Sequence, residues 1–255
     1  MTSEKLNIWV NGAFGKMGTE VINALNNTSL YTVSGFISPE HAGQTITNNN
    51  NDFEVAESLQ SLLEKSEANP YCVVDFTFAE AGYEAALFCA QNNIHFVSGS
   101  TGMSDKQVAE IKNAFEKSEA NAIIAPNFSL GVVLMMQFSA KAAPYFDEIE
   151  IIESHHITKL DAPSGTAKAT GRMVNEARGK AGKEKIDVNM HSLRMSGAIP
   201  HQSVSLSSPG EILRIEHDAN NRSCFMPGVI MSIDNISKIN GALFSIAPLL
   251  FNEEK

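Results

Sequence analysis

The chain has 255 residues, 43% of them hydrophobic, and 29 acidic against 19 basic side chains give it a formal charge of −10. That length accommodates one large domain or two moderate ones, the acidic balance leaves no basic footprint for nucleic acid, and no apolar run approaches a membrane span. The cysteines Cys72, Cys89 and Cys224 are scattered and lack metal spacing; with no leader pattern in Met1–Asn7, the expected location is the cytoplasm.

Leu6–Val10 has the apolar character of a strand, and Gly12-Ala13-Phe14-Gly15-Lys16-Met17-Gly18 follows it, opening a helix through Val21, Ile22 and Leu25. A Gly-rich turn in that context is a dinucleotide fingerprint: Gly12 for the tight turn, Gly15 for access of backbone N–H groups to a pyrophosphate, Gly18 for close helix packing. Its spacing, G-x-x-G-x-x-G, departs from the commonest form. Tyr31–Ile37 reads as the second strand. An acidic residue at its end would hold the adenosine ribose of NAD; Ser38 stands there instead, and Lys16 is a candidate partner for a 2′-phosphate. The Asn-, Thr- and Gly-rich stretch from His41 to Asp52 reads as a mobile surface loop.

Leu59, Leu62 and Leu63 suggest a short helix, Cys72–Phe76 a buried strand, Ala81–Gln91 a helix, Ile94–Val97 a strand, Ser104–Ser118 a helix and Ala122–Ala125 a strand that closes the sheet. This alternation predicts a parallel sheet covered by helices. Three strand ends, Phe76-Thr77, Gly99-Ser100-Thr101 and Ala125-Pro126-Asn127-Phe128, place small and polar residues where an open sheet binds ligand, and suit a nicotinamide ribose and carboxamide.

Leu130–Tyr145 reads as an Ala- and Met-rich helix whose methionines fill core. Glu148–Ile152 alternates as a strand, expected to deliver to a sheet edge the densest chemistry in the chain, Glu153-Ser154-His155-His156-Ile157-Thr158-Lys159-Leu160-Asp161-Ala162-Pro163-Ser164-Gly165-Thr166-Ala167. Ser164 or Thr166 can cap a helix start there, Gly165 lets a ligand approach the backbone, and a helix N-terminus attracts anions. Two histidines, a lysine and a helix start make a pocket that supplies protons and binds carboxylate or phosphate. Zinc fits poorly, because adjacent histidines on a strand point to opposite faces and no further ligand lies at spacing; no metal is expected. A Lys/Gly-rich turn around Gly179–Lys185, strands at Val188–Leu193, Ser203–Leu206 and Ile212–Ala219, and helical spacing over Gly228–Pro248 complete the chain.

With these blocks in place, the sequence resembles the dihydrodipicolinate reductases, also called 4-hydroxy-tetrahydrodipicolinate reductases, of the diaminopimelate route to lysine. Glu153–Ala167 matches the family pattern E-x-H-H-x-x-K-x-D-A-P-S-G-T-A, and Gly12–Gly18, Asp75–Thr77, Gly99–Gly102, Asn127–Ser129 and His191–Arg194 match in order and spacing. Pro200-His201-Gln202 and Phe225-Met226-Pro227-Gly228-Val229 depart from it. The resemblance implies hydride transfer from NADPH or NADH to a cyclic dicarboxylate, with His155 as proton donor, Lys159 assisting it, and His156, Ser164, Gly165 and Thr166 holding the substrate carboxylates. It also implies a homotetramer. The expected architecture is α/β: a Rossmann-like dinucleotide-binding domain of residues 1–127 plus 228–255, and a second α+β substrate-binding and oligomerisation domain of residues 128–227. Two other readings are another two-domain NAD(P)-dependent oxidoreductase and a nucleotide-sensing module without catalysis.

Overall fold

The computed structural model describes residues 5–251. The chain forms two compact units, one running to Phe128 and resuming at Phe225, the other comprising Ser129–Cys224.

In the first unit the chain order is β1 (Leu6–Asn11), α1 (Lys16–Asn26), β2 (Tyr31–Ile37), β3 (Thr45–Asn48), β4 (Asn51–Glu54), α2 (Leu59–Lys65), β5 (Cys72–Asp75), α3 (Ala79–Gln91), β6 (His95–Ser98), α4 (Asp105–Glu116) and β7 (Ala122–Ile124). In the second it is α5 (Leu130–Ala142), β8 (Glu148–His156), α6 (Gly165–Lys180), β9 (Asn189–Met195), β10 (His201–Ser208) and β11 (Glu211–Asp218). The returning segment of the first unit carries α7 (Met226–Asn235), β12 (Ala242–Leu243) and α8 (Ala247–Leu250).

The first unit is a Rossmann-like parallel sheet with strand order β12-β7-β6-β5-β1-β2. Its strands are continuous apolar runs because both faces are covered: Ile8, Val10, Val73, Phe96 and Ile123 have no exposed surface. The strand order reverses direction at β1, flanked by β2 and β5, and such a switch point leaves a crevice at the C-terminal strand ends. The returning segment is held by specific polar contacts. Tyr31 on β2 donates a hydrogen bond to Asp234 on α7, and Asn121 donates to the Ile236 carbonyl (3.0 Å) while accepting from the Gly241 N–H (2.9 Å).

Four expectations change, three of them here. The stretch from His41 to Asp52 contains not a structureless loop but the β3–β4 hairpin, turned by Asn49 and Asn50 at φ 48° and 64°. Asparagine tolerates those positive angles, as a two-residue hairpin turn requires. Asn48, 6% exposed, anchors the hairpin by donating to the Val33 carbonyl and accepting from Asn26. Secondly, helical spacing over Gly228–Pro248 is interrupted: Ala242–Leu243 pair with β7 and form the sheet's edge, so β7 does not close it. Thirdly, the region around Gly179 is still helical, because α6 runs to Lys180. Buried Arg178 ties down that end by donating to the carbonyls of Ala143, Phe146 and Glu184.

The second unit is an α+β layer of order β11-β10-β8-β9, antiparallel except for the β8·β9 pair. One face buries Ile149, Ile151, Val204 and Leu206 with Ala167 and Val174 of α6. β8 is therefore an interior strand and not a sheet edge, which suits a strand that must carry a buried charge.

Gly228 lies in α7, just after the chain re-enters the first unit. A Cβ built there would stand 2.0 Å from the Phe128 carbonyl oxygen, too close for any side chain, so Gly228→Ala must push α7 off the end of β7. Overpacking of this kind costs on the order of 1–3 kcal/mol. A lowered Tm in thermal unfolding is the expected result; a wild-type Tm would mean that α7 is not pressed against Phe128.

Candidate active site

The chemistry of the second unit begins with parity along β8. Ile149, Ile151 and Glu153 alternate onto the covered face, so the strand that buries two isoleucines also buries a carboxylate with no exposed surface. Such a charge must be paired and hydrogen-bonded. The parallel register sets His155 opposite Arg194 of β9, and Arg194 grips Glu153 in a bidentate fork, Nη1 to Oε2 at 2.9 Å and Nη2 to Oε1 at 2.8 Å. The same Oε2 lies 2.6 Å from His155 Nδ1, and Oε1 accepts the Ser164 N–H at 3.2 Å. One carboxylate thus joins the histidine, the arginine and the start of α6.

Burial would push the Glu153 carboxyl up, but hydrogen bonds led by those from Arg194 outweigh it and hold the carboxyl at about 2. For His155 the balance runs the other way. Burial pulls the imidazole below its ordinary range, and nearby Lys159 and Arg194 add to this, against the upward pull of Glu153. With Nδ1 committed to Glu153, His155 is oriented to exchange a proton through Nε2.

The loop after β8 and the first turn of α6 supply the rest. Lys159 Nζ sits 2.7 Å from Asp161 Oδ1, holding that carboxyl below its usual range, with the Gly165 N–H contributing. His156 points away from His155 and meets Thr158 Oγ1 at 2.7 Å. Ser164 is 3% exposed and its hydroxyl accepts from the Ala167 N–H, so its side chain serves as the helix cap. Gly165 has open space where a Cβ would stand, and Thr166 is half-buried. The Asp161 carboxylate thus already occupies the kind of site, an ammonium beside a helix start, that suits a carboxylate ligand.

In the first unit the Gly loop leads straight into a helix start. Gly12 has φ +80°, and a Cβ on Gly18 would stand 2.1 Å from the Gly12 carbonyl oxygen, so α1 starts tight against the loop. α2, α4, α5 and α6 are each capped by a serine side chain, but α1 begins at Gly15 with no side-chain cap and no acidic residue in its first turn. Its first N–H groups, on Lys16 and Met17, have no acceptor within the helix and suit an anion. The N–H groups of Gly12 and Ala13 instead donate to the Ile37 carbonyl, and that of Gly15 to Gly12. Lys16 is exposed, as is Phe14.

A cavity of about 260 Å³ gathers Met17, Phe76, Gly99 and Ala125–Phe128, together with Phe225, which the sequence reading did not select. A second, of about 400 Å³, lies at the switch point and brings Thr77 together with Asn11, Ile37, Pro39, Leu59 and Phe78. Thr101 is exposed and lines neither. Ser100 is 4% exposed and spends its hydroxyl on Asp75. Asp75 is itself fully buried and accepts from Asn11, Thr77, Ser98 and Ser100 at 2.7–2.9 Å, which draws the ends of β1, β5 and β6 together.

Glu153 and Arg194 were absent from the candidates chosen by sequence. Charge at a covered-face position of β8 is the signal that points to them.

Comparison with known proteins covers nearly the whole chain. A family model described as "Dihydrodipicolinate reductase, N-terminus" matches residues 6–128, and "Dihydrodipicolinate reductase, C-terminus" matches residues 131–250. The 4-hydroxy-tetrahydrodipicolinate reductase of Thermosynechococcus vestitus is 34% identical over 97% of this chain and 98% of its own length. That of Bacillus subtilis is 32% identical over 98% and 100%. Among solved structures, a dipicolinate-bound dihydrodipicolinate reductase from Paenisporosarcina sp. TG-14 superposes with a TM-score of 0.82 at 31% identity, covering 96% of this chain and 99% of its own.

The depressed Glu153 carboxyl has a consequence for acid stability. Its folded value near 2 lies below the 4.5 of a free glutamate. The pairing therefore contributes stability that is fully present above about pH 4.5 and is lost as pH falls towards 2. In Glu153→Gln, the part of the Tm decline specific to that window should disappear. An unchanged Tm-against-pH slope there would mean that Glu153 is not held ionised.

Proposed function

Since the chain belongs to the dihydrodipicolinate reductase family, NAD(P)H-dependent oxidoreductases of diaminopimelate and lysine biosynthesis, we propose that His155 is the proton donor in its reduction of dihydrodipicolinate to tetrahydrodipicolinate. The observation that carries this assignment is the Glu153–His155 contact, which fixes the imidazole through Nδ1 and leaves Nε2 to deliver a proton. Lys159 supplies a fixed positive charge for the ring nitrogen as charge develops there. The substrate carboxylates are taken by His156, the first turn of α6 at Ser164, Gly165 and Thr166, and Lys159, one of them displacing the Asp161 carboxylate. The substrate is accordingly a small cyclic dicarboxylate.

The reduced nicotinamide supplies the hydride. Residues 1–127 and 228–255 are assigned to hold the cofactor, and residues 128–227 the substrate and the oligomer contacts. Gly12–Met17 hold the phosphate end, with Ser38 bordering the adenosine; Phe76, Thr77, Gly99–Thr101 and Ala125–Phe128 surround the nicotinamide end. The uncapped start of α1 and the cavity containing Phe128 support that division. Either NADPH or NADH is accommodated, and Lys16 adds a modest pull on a 2′-phosphate, since a partly exposed ion pair is worth about 0–1 kcal/mol.

A homotetramer is supported by the outer face of the second sheet, where Ile152, Leu193, Met195 and Ile212 are 41–56% exposed. Such an apolar patch on a regular sheet suits isologous association. No helix among the described residues is long and apolar enough to cross a membrane, and the free Cys72, Cys89 and Cys224 are in keeping with a cytoplasmic protein.

His155→Ala should slow turnover by roughly 10²–10⁴-fold at saturating substrate while cofactor affinity stays near wild type. Wild-type turnover in that variant would remove His155 from the reaction. As the donor, His155 must be protonated, so kcat/KM should fall as pH rises through its lowered pKa. Glu153→Gln, which removes the upward pull on the imidazole, should move that limb to still lower pH. Pyridine-2,6-dicarboxylate should compete with substrate; failure to compete would sink the dicarboxylate assignment. In sedimentation experiments Leu193→Glu should shift the protein towards smaller species, and an unshifted profile would place the oligomer contacts elsewhere.

A further inference from the structure

Ser38 stands where a dinucleotide-binding sheet usually carries a carboxylate for the adenosine ribose. Its geometry shows that it cannot take over that task. Ser38 is 9% exposed; its N–H donates to the Ala56 carbonyl, its own carbonyl accepts the His41 N–H at 3.1 Å, and its hydroxyl lies 2.9 Å from His41 Nδ1. Every polar group of this residue is engaged inward. The side chain presented at the end of β2 is instead His41, the last residue of a short 3-10 turn, Pro39–His41.

Two contacts fix its imidazole. Nδ1 meets the Ser38 hydroxyl, and the ring lies flat on Phe14, with centroids 4.1 Å apart and planes 4° from parallel. Phe14 belongs to the Gly12–Gly18 loop, so the stack sets the imidazole beside the segment whose first helical N–H groups suit the pyrophosphate. Nε2 has no partner among the described residues. When the Ser38 hydroxyl donates to Nδ1, the ring hydrogen resides on Nε2, which turns that edge into a donor. A donor held in place by a stack and a hydrogen bond loses little freedom on binding.

We propose that His41 is the residue that reads the ribose 2′ position, donating from Nε2 to the 2′-phosphate of NADPH and so favouring it over NADH. The assignment rests on the dinucleotide site described above and deepens it. Lys16 supplies a mobile charge at the same phosphate, whereas His41 supplies a directed hydrogen bond. The preference therefore survives removal of Lys16 and does not survive loss of the imidazole edge.

Fragments that carry the 2′ chemistry but no nicotinamide test this independently of turnover. Binding of adenosine 2′,5′-bisphosphate and of 5′-AMP to the full chain is measured by calorimetry for wild type, His41→Ala and His41→Phe. The phenylalanine variant keeps a ring on Phe14 and removes only the polar edge. In both variants the preference for the bisphosphate should fall by about tenfold, while 5′-AMP affinity changes by less than about threefold, as expected for one hydrogen bond to a charged group. An unchanged preference in His41→Phe would overturn the assignment and leave the dinucleotide site intact, as would a wild type that binds both fragments equally. Failure of wild type to bind either fragment would overturn the dinucleotide site itself, and this inference with it.

Discussion

A carboxylate without solvent is tolerable only where its surroundings supply opposite charge and donors at every lone pair, and the chemistry of residues 129–224 is arranged to meet that demand at Glu153. Arg194 satisfies it with a fork of two hydrogen bonds, the Ser164 N–H with a third, and His155 with a fourth. Each partner is thereby fixed in turn. The β8·β9 register cannot slip by one residue without moving Arg194 to the wrong face, α6 cannot shift without losing the Ser164 contact, and the imidazole cannot flip without abandoning Nδ1. The cluster gains rigidity from a charge that is expensive to leave unpaired.

The first unit solves a similar problem with no cation at all. Asp75 is fully buried at the end of β5, and its four donors are two serines, a threonine and an asparagine. Burial outweighs those neutral donors and pushes the carboxyl up, whereas at Glu153 the arginine fork overcomes burial and holds the carboxyl down. The contrast fits the two tasks. Asp75 draws three strand ends together beneath a crevice proposed for a polyanionic ligand. Glu153 steadies the imidazole proposed as the proton donor.

Much of this was legible in the sequence, for physical reasons. Strands buried on both faces read as unbroken apolar runs, and the turn from β1 to α1 needs glycines that no packing argument would otherwise supply. Elements held by polar contacts were less legible. The β3–β4 hairpin has no hydrophobic alternation, because asparagine side chains anchor it, and Asn49-Asn50 is a weaker turn signal than a pair ending in glycine. β12 is too short for any periodicity, and its place depends on Asn121 more than a hundred residues earlier. The histidines and Lys159 stand out as residue types. The importance of Glu153 and Arg194 appears only when strand parity and register are known, since a lone arginine on a strand carries no sign of where its partner lies.

The pairing of Ala242–Leu243 with β7 also bears on how the protein is made. During vectorial synthesis Ala122–Ile124 leaves the ribosome well before the two residues that cover its outer edge, and the whole of residues 129–224 must emerge in the interval. Until then the nascent sheet presents an open strand edge, the feature by which β proteins recruit unwanted neighbours. The first unit therefore begins folding early yet is completed last. The outer edge of β7 thus stays open for as long as the inserted segment takes to be translated.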